Sequence, residues 1–241
     1  MNFYHLYHGD CLNALPKIPD NSIDLVLTDP PYNIGKAEWD TIENYVEFMG
    51  KVFLEAQRVL KPTGSLYWFH NNIPIITELI TWLKDNTSFS FKQFIVWNKK
   101  FKGASTEGFL QGFNAVGNLR NYQKFAEYCL FYTLGDDHYF NNQKTHHSVW
   151  DYEMAKRTKH ITPKPIPLIE NILKYSSKEG DVVLDMFLGS GSTLEACQRQ
   201  RRSCIGIEID ADYIKLIQTR CYGRQFLDRQ VKYEFYNNSC D

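Results

Sequence analysis

A doubly wound, mostly parallel α/β sheet is the fold class this chain predicts, and three observations carry the prediction. Short apolar runs alternate with amphipathic stretches of helical length across short links. One run, Val182–Leu184, enters Asp185-Met186-Phe187-Leu188-Gly189-Ser190-Gly191-Ser192-Thr193, a glycine turn followed by a helix start. Another, Ile23–Leu27, leads into Thr28-Asp29-Pro30-Pro31-Tyr32, and open α/β sheets hold their ligands at such carboxyl strand ends.

The elements follow in order. Phe3–His8 reads as a strand, then Gly9-Asp10-Cys11 and a short helix over Leu12–Ile18. After the turn at Asp20-Asn21 comes the Ile23–Leu27 strand, and the paired prolines behind it stiffen the backbone around Asp29 and Tyr32. A polar loop with Gly35 and Trp39 precedes a helix over Thr41–Leu60, with Tyr45, Phe48, Val52 and Leu60 inward, which Lys61-Pro62-Thr63-Gly64 should stop. Ser65–His70 predicts a strand, Ile73–Lys84 a helix, and Phe91–Trp97 and Phe125–Thr133 two further strands. Lys99–Tyr122 is too long for a plain connector, and Leu134–His160 shows no convincing period. His160–Pro167 is punctuated by proline, and Leu168–Tyr175 is helical. Past the glycine turn, with Ser192 or Thr193 as helix cap or first-turn residue, the helix runs through Leu194 and Cys197. Ser203–Ile207 is the next strand, and it ends at Glu208.

Glu208 follows the glycines by about twenty residues, the usual distance for a carboxylate that accepts from ribose hydroxyls. The alternative is that Glu208 and Asp210 only cap the helix starting near Ala211. Position 194 is Leu, so the dinucleotide pattern G-x-G-x-x-G is incomplete.

A chain of 241 residues with 43% hydrophobic residues suits one α/β domain or one with a small insertion. No apolar run is long enough for a membrane span and the start lacks a signal-peptide pattern, which predicts a cytoplasmic protein. The six cysteines are scattered without a C-x-x-C pair, so zinc is not expected and the thiols should be free. Net charge is −1, but Asn98–Lys164 carries ten basic and six acidic residues, a weak sign of a nucleic-acid face.

Taken together, Asp29-Pro30-Pro31-Tyr32 and Phe187-x-Gly189-x-Gly191 resemble the S-adenosylmethionine-dependent DNA amino-methyltransferases. Their order resembles the permuted β group of that family, in which D-P-P-Y precedes F-x-G-x-G. Gly9-Asp10, His160-x-Thr162-x-Lys164-Pro165, Gly206-x-Glu208, Trp97-Asn98-Lys99 and Glu127 also resemble family positions, so the likeness spans about His8 to Arg220. Met186 departs from a frequent proline.

The resemblance implies a circularly permuted, seven-stranded Rossmann-like methyltransferase sheet. It would form one domain over 1–241, with 98–124 and 134–160 as short DNA-recognition insertions. It implies methyl transfer from S-adenosylmethionine to adenine N6 on DNA, with cytosine N4, or a non-catalytic nucleic-acid-binding subunit, as alternatives. Asp29, Pro30, Pro31 and Tyr32 would be catalytic. The Asp29 carboxylate and Pro30 carbonyl would accept from the amine, and Tyr32 would stack on the flipped base. Asp10, Cys11, Asp29, Lys164, Asp185, Phe187, Gly189, Ser190, Gly191, Ser192 and Glu208 would hold the cofactor, with Asp10 at the adenine, Glu208 at the ribose and Lys164 at the carboxylate, unless Lys164 is only solvated. No metal is implied. The partners would be DNA and a functionally linked restriction endonuclease, and the protein a monomer or homodimer. With no nucleophilic cysteine expected near the site, carbon-5 chemistry is disfavoured.

Overall fold

The computed structural model describes residues 2–35, 40–100, 126–142, 147–155, 163–222 and 232–237. One sheet contains β1 (Phe3–His8), β2 (Ile23–Thr28), β3 (Leu60–His70), β4 (Ser90–Lys100), β5 (Ala126–Thr133), β6 (Val149–Glu153), β7 (Val182–Asp185), β8 (Ser203–Glu208) and β9 (Lys232–Asn237). Across the sheet the order is β6-β4-β5-β3-β2-β7-β8-β1-β9. Only β5 is antiparallel, to both β3 and β4. The helices are α1 (Cys11–Ala14), α2 (Tyr45–Val59), α3 (Ile73–Asn86), α4 (Ile166–Ser176), α5 (Ser192–Arg199) and α6 (Ala211–Ile217).

Side-chain alternation in the strands divides the core into two layers. Val26, Leu66, Trp68, Leu130, Leu184 and Ile207 face one side and pack with α1, α2 and α3. Leu25, Leu27, Tyr67, Phe69, Val183 and Cys204 face the other and pack with α4, α5 and α6. The helices supply matching stripes. In α2, Tyr45, Met49, Val52, Phe53, Ala56 and Val59 are all buried, at spacings that keep them on one face. Phe53 and Trp68 are fully buried and meet at 5.5 Å between ring centroids. Burying an apolar side chain of that kind contributes about 1.5–3 kcal/mol.

The nine-stranded sheet is wider than the expected seven. In β6, half-buried Trp150 and Tyr152 pack against the core while Val149, Asp151 and Glu153 are exposed. A five-residue edge strand with only two inward side chains leaves little periodic signal. β9 pairs in parallel with β1 on the opposite edge. Helix α2 ends at Val59, one residue short of the expected Leu60, and Lys61–Gly64, expected only as a stop, already lie in β3. The β2–β3 register slips between Ile23 and Leu25, so exposed Pro62 sits at an irregular strand start where its missing N–H does no harm. Helix α2 begins later than expected because its cap, Asn44, has φ 52°, outside the helical region. Pro16 turns the end of the first helix into a 3₁₀ turn over Leu15–Lys17.

Strands β2 and β7 are neighbours, yet the chain leaves β2 through α2 towards β3 and leaves β7 through α5 towards β8, on the other side. This is a topological switch point, and it opens a crevice at the carboxyl ends of the strands.

Candidate active site

A cavity of about 470 Å³ occupies that crevice, walled by the carboxyl ends of β1, β2, β7 and β8. Its glycine-turn side is built from Asp185, the last residue of β7. The buried Asp185 carboxylate accepts from the Phe187 amide at 3.1 Å and from Thr28 Oγ1 at 3.1 Å, which ties the ends of β7 and β2 together. Burial pushes Asp185 up to about 6, against the lowering effect of its hydrogen bonds. Gly189 and Gly191 have φ of 55° and 84°, left-handed values that glycine adopts without a Cβ clash. Gly191 is the cap of α5, so Ser192 and Thr193 are first-turn residues. Ser192 Oγ is buried on the cavity wall with no hydrogen-bond partner among the described residues.

Glu208, at the end of β8, is buried beside this turn. It accepts from Gly189 N at 2.6 Å and from Asp210 N at 2.8 Å. Desolvation pushes its carboxyl up to about 7. The capping role belongs to Asp210 alone, which accepts from Asp212 N and Tyr213 N at the start of α6. Asp10 lines the cavity and caps α1 by accepting from Leu12 N at 2.7 Å. Cys11 lies on the wall too, so a cysteine is near the site after all. Burial, reinforced by Asp10, raises that thiol far above its usual range and leaves it unavailable as a thiolate nucleophile.

The opposite side begins where β2 runs into Asp29-Pro30-Pro31-Tyr32. Tyr45 on α2 donates to the Pro31 carbonyl at 2.5 Å and fixes the turn. Tyr32 is buried, and its ring lies 4.7 Å from that of His70, tilted by 41°. His70 Nδ1 accepts from Asn72 N, and burial lowers the imidazole to about 4, so it is neutral at physiological pH. Lys164 Nζ stands 5.4 Å from the Tyr32 ring centroid.

Lys164 is buried on the cavity wall, which rules out the alternative that it is only solvated. Its ammonium pairs with Asp29 Oδ2 and, at 3.2 Å, with Glu127 Oε2. Tyr32 Oη lies 2.8 Å from Asp29 Oδ1 and 3.2 Å from Glu127 Oε2. Glu127 is held from behind by Lys99 at 2.5 Å. Burial alone would raise Glu127, but Lys164 and Lys99 outweigh it and hold the carboxyl below its usual range. Burial would likewise lower Lys164, and Asp29 and Glu127 raise it instead. Glu127 is a site residue for which the sequence offered only a likeness and one further signal, a lone acidic residue in the otherwise apolar strand Ala126–Thr133.

Asp10, Cys11, Asp29, Pro30, Pro31, Tyr32, Lys164, Asp185, Phe187, Gly189, Ser190, Ser192 and Glu208 all line the one cavity. Gly191 shapes the turn from behind it. His160 and Thr162 lie outside the described residues, as do 101–124, 143–146 and 156–160 of the two stretches expected to read DNA. Among the described residues no group of three or more His, Cys, Asp or Glu could hold a metal ion.

A protein-family model described as DNA methylase matches residues 23–219. The chain is 35% identical to a DNA adenine methyltransferase, YhdJ, of Escherichia coli (strain K12), over 88% of this chain and 80% of that protein. It is 32% identical to the Type II methyltransferase M.HpaI of Haemophilus parainfluenzae, over 88% of this chain and 72% of that one. Among solved structures, an M1.HpyAVI–SAM complex superposes with a TM-score of 0.69 at 24% identity, covering 90% of this chain and 99% of that one.

Proposed function

The chain belongs to the DNA methylase family, and from that premise we propose that the crevice is the active site of a site-specific DNA adenine-N6 methyltransferase using S-adenosylmethionine. The observation that supports this best is that one cavity is lined both by Asp29-Pro30-Pro31-Tyr32 and by the Asp185–Ser192 turn. The orphaned Ser192 hydroxyl, the Glu208 carboxylate and the Phe187 ring, 6.2 Å from Phe48, suit a ligand with hydroxyl, amino and flat aromatic parts. Ser192 and the turn amides would take the methionine portion, Glu208 the ribose and Asp10 the adenine. The bound cofactor supplies an electrophilic methyl group on sulfur.

The chain's own residues would do the rest by alignment. An exocyclic amine is a weak nucleophile because its lone pair is delocalised into the ring. The Asp29 carboxylate and the Pro30 carbonyl, rigidly linked, would accept its two hydrogens and turn the lone pair towards the methyl donor. Alignment of this kind can be worth effective molarities of roughly 10⁵–10⁸ M. In duplex DNA the base must leave the stack first. The residues that read the site would fall within 98–124 and 134–160, where the basic excess favours phosphate contacts. We place the protein in the cytoplasm, working beside a cognate endonuclease. No helix among the described residues is long and apolar enough to cross a membrane.

Asp rather than Ser at position 29 favours adenine. The expected product is N6-methyladenine, seen by mass spectrometry of nucleosides from DNA modified by the purified protein. N4-methylcytosine alone would move the substrate to cytosine.

Cofactor affinity should depend on pH through Glu208. Its folded pKa, about 7, lies above the ordinary carboxyl value of 4.5. The stabilisation linked to the bound proton is therefore complete below about pH 4.5 and is lost as pH rises through about 7. A ribose needs the ionised acceptor, so calorimetric affinity should weaken as pH falls from about 8 to about 6. Glu208→Gln should bind more weakly and show a flatter profile. An identical profile in that variant would take Glu208 out of the binding site.

A further inference from the structure

Both oxygens of Asp29, the carboxylate that the proposed function assigns to the target amine, are already occupied. Oδ2 is paired with Lys164, and Oδ1 lies 2.8 Å from Tyr32 Oη. Each oxygen keeps a second lone pair, but an amine arriving at Asp29 must share the carboxylate with both donors and competes with them for its charge. Glu127 lies within reach of both, with Oε2 3.2 Å from Lys164 Nζ and 3.2 Å from Tyr32 Oη. Its other oxygen is fixed by Lys99 at 2.5 Å, so the group is anchored and buried.

We propose that Glu127 is a positioning residue that takes over Lys164 and Tyr32 from Asp29 when the target amine binds. The hydroxyl has one hydrogen and can donate to only one of the two carboxylates at a time. Rotating it from Asp29 to Glu127 frees an acceptor without exposing an unpaired donor. The ammonium has three hydrogens and can lean towards Glu127 with little loss. No proton changes owner, because each donor keeps its hydrogen and changes only its acceptor. The arrangement keeps the site satisfied while empty, where an unpaired buried carboxylate would be destabilising. Lys99 completes the device by keeping Glu127 in place.

Without the second carboxylate, Lys164 has only Asp29 as counter-ion and competes with the amine. Glu127→Gln should therefore lower kcat by roughly 10–100-fold, the worth of one charge-assisted hydrogen bond. Cofactor affinity by calorimetry should stay within about threefold, since Glu127 faces the amine side. Removing the competing cation as well, in Glu127→Gln/Lys164→Met, should recover about tenfold of that loss, whereas a merely structural role predicts no recovery.

The proposal rests on the methyltransferase reading, and the controls separate the two. Wild-type protein that transfers no labelled methyl from S-adenosylmethionine to genomic DNA overturns both. Active wild type with an equally active Glu127→Gln overturns the handover alone, as does a double variant no better than the single one. If Glu127→Gln does not fold, the uncharged double variant is compared with wild type. The handover then expects kcat within about tenfold, and a loss beyond about 10³-fold overturns it.

Discussion

Asp29→Asn is expected to reduce methyl transfer by at least about 10³-fold while cofactor affinity changes less than about threefold. The substitution keeps the side chain's shape but removes its charge, and turns one of its two acceptors into a donor. An amine presented to that site would meet an N–H where it needs an oxygen, and its lone pair would no longer be held on line. The cofactor side of the cavity, from Asp185 through Gly189 to Glu208, would remain intact, because Asp185 is held by Thr28 and Phe187 rather than by Asp29. Lys164 would keep Glu127 at 3.2 Å, so the variant should stay folded. Transfer of labelled methyl to DNA, with calorimetry on the same preparation, separates the two effects. Turnover within tenfold of wild type would remove Asp29 from the chemistry. A parallel loss of cofactor binding would mean that its role lies on the other side of the cavity.

What the sequence made legible follows from what local physics specifies. The strands β2, β7 and β8 were readable because apolar runs end abruptly in prolines, glycines or acids, and those same breaks mark the cavity wall. Their convergence followed from the rule for open parallel sheets. Side-chain pairing was less legible. Lys164 and Asp29 stand 135 positions apart and Tyr32 and Glu127 stand 95 apart, and nothing local to any of these four residues specifies that they meet. Tyr32 illustrates the limit. Its place beside Asp29 was set by the two prolines, but its burial against His70 depends on β3, an independent strand. The edge strands β6 and β9 escaped notice for another reason. Edge pairing is driven by backbone hydrogen bonds to a neighbour already present, which imprints little pattern on the sequence.

Gly191→Val should weaken cofactor binding by roughly 100-fold or more and lower folding stability by about 2–4 kcal/mol. Two effects add. Gly191 has φ 84°, where an L side chain is strained by about 1–3 kcal/mol and a β-branched one most of all. A Cβ there would also stand 3.1 Å from Ile217 Cγ1 and 3.7 Å from Cys221 Sγ, both in the buried packing under α5. Valine adds two further carbons to that tight contact, and with φ already strained the backbone is expected to move. The movement would shift the first turn of α5, with Ser192 on it, and pull on the Gly189 amide that donates to Glu208 at 2.6 Å. Gly191→Ala carries the strain and the single tight contact but not the branching, and should fall between wild type and valine in both affinity and stability. Calorimetry and thermal unfolding of the three proteins would give that order. If valine binds the cofactor as tightly as glycine, the turn after β7 holds no part of the ligand, and the binding half must be sought elsewhere in the crevice.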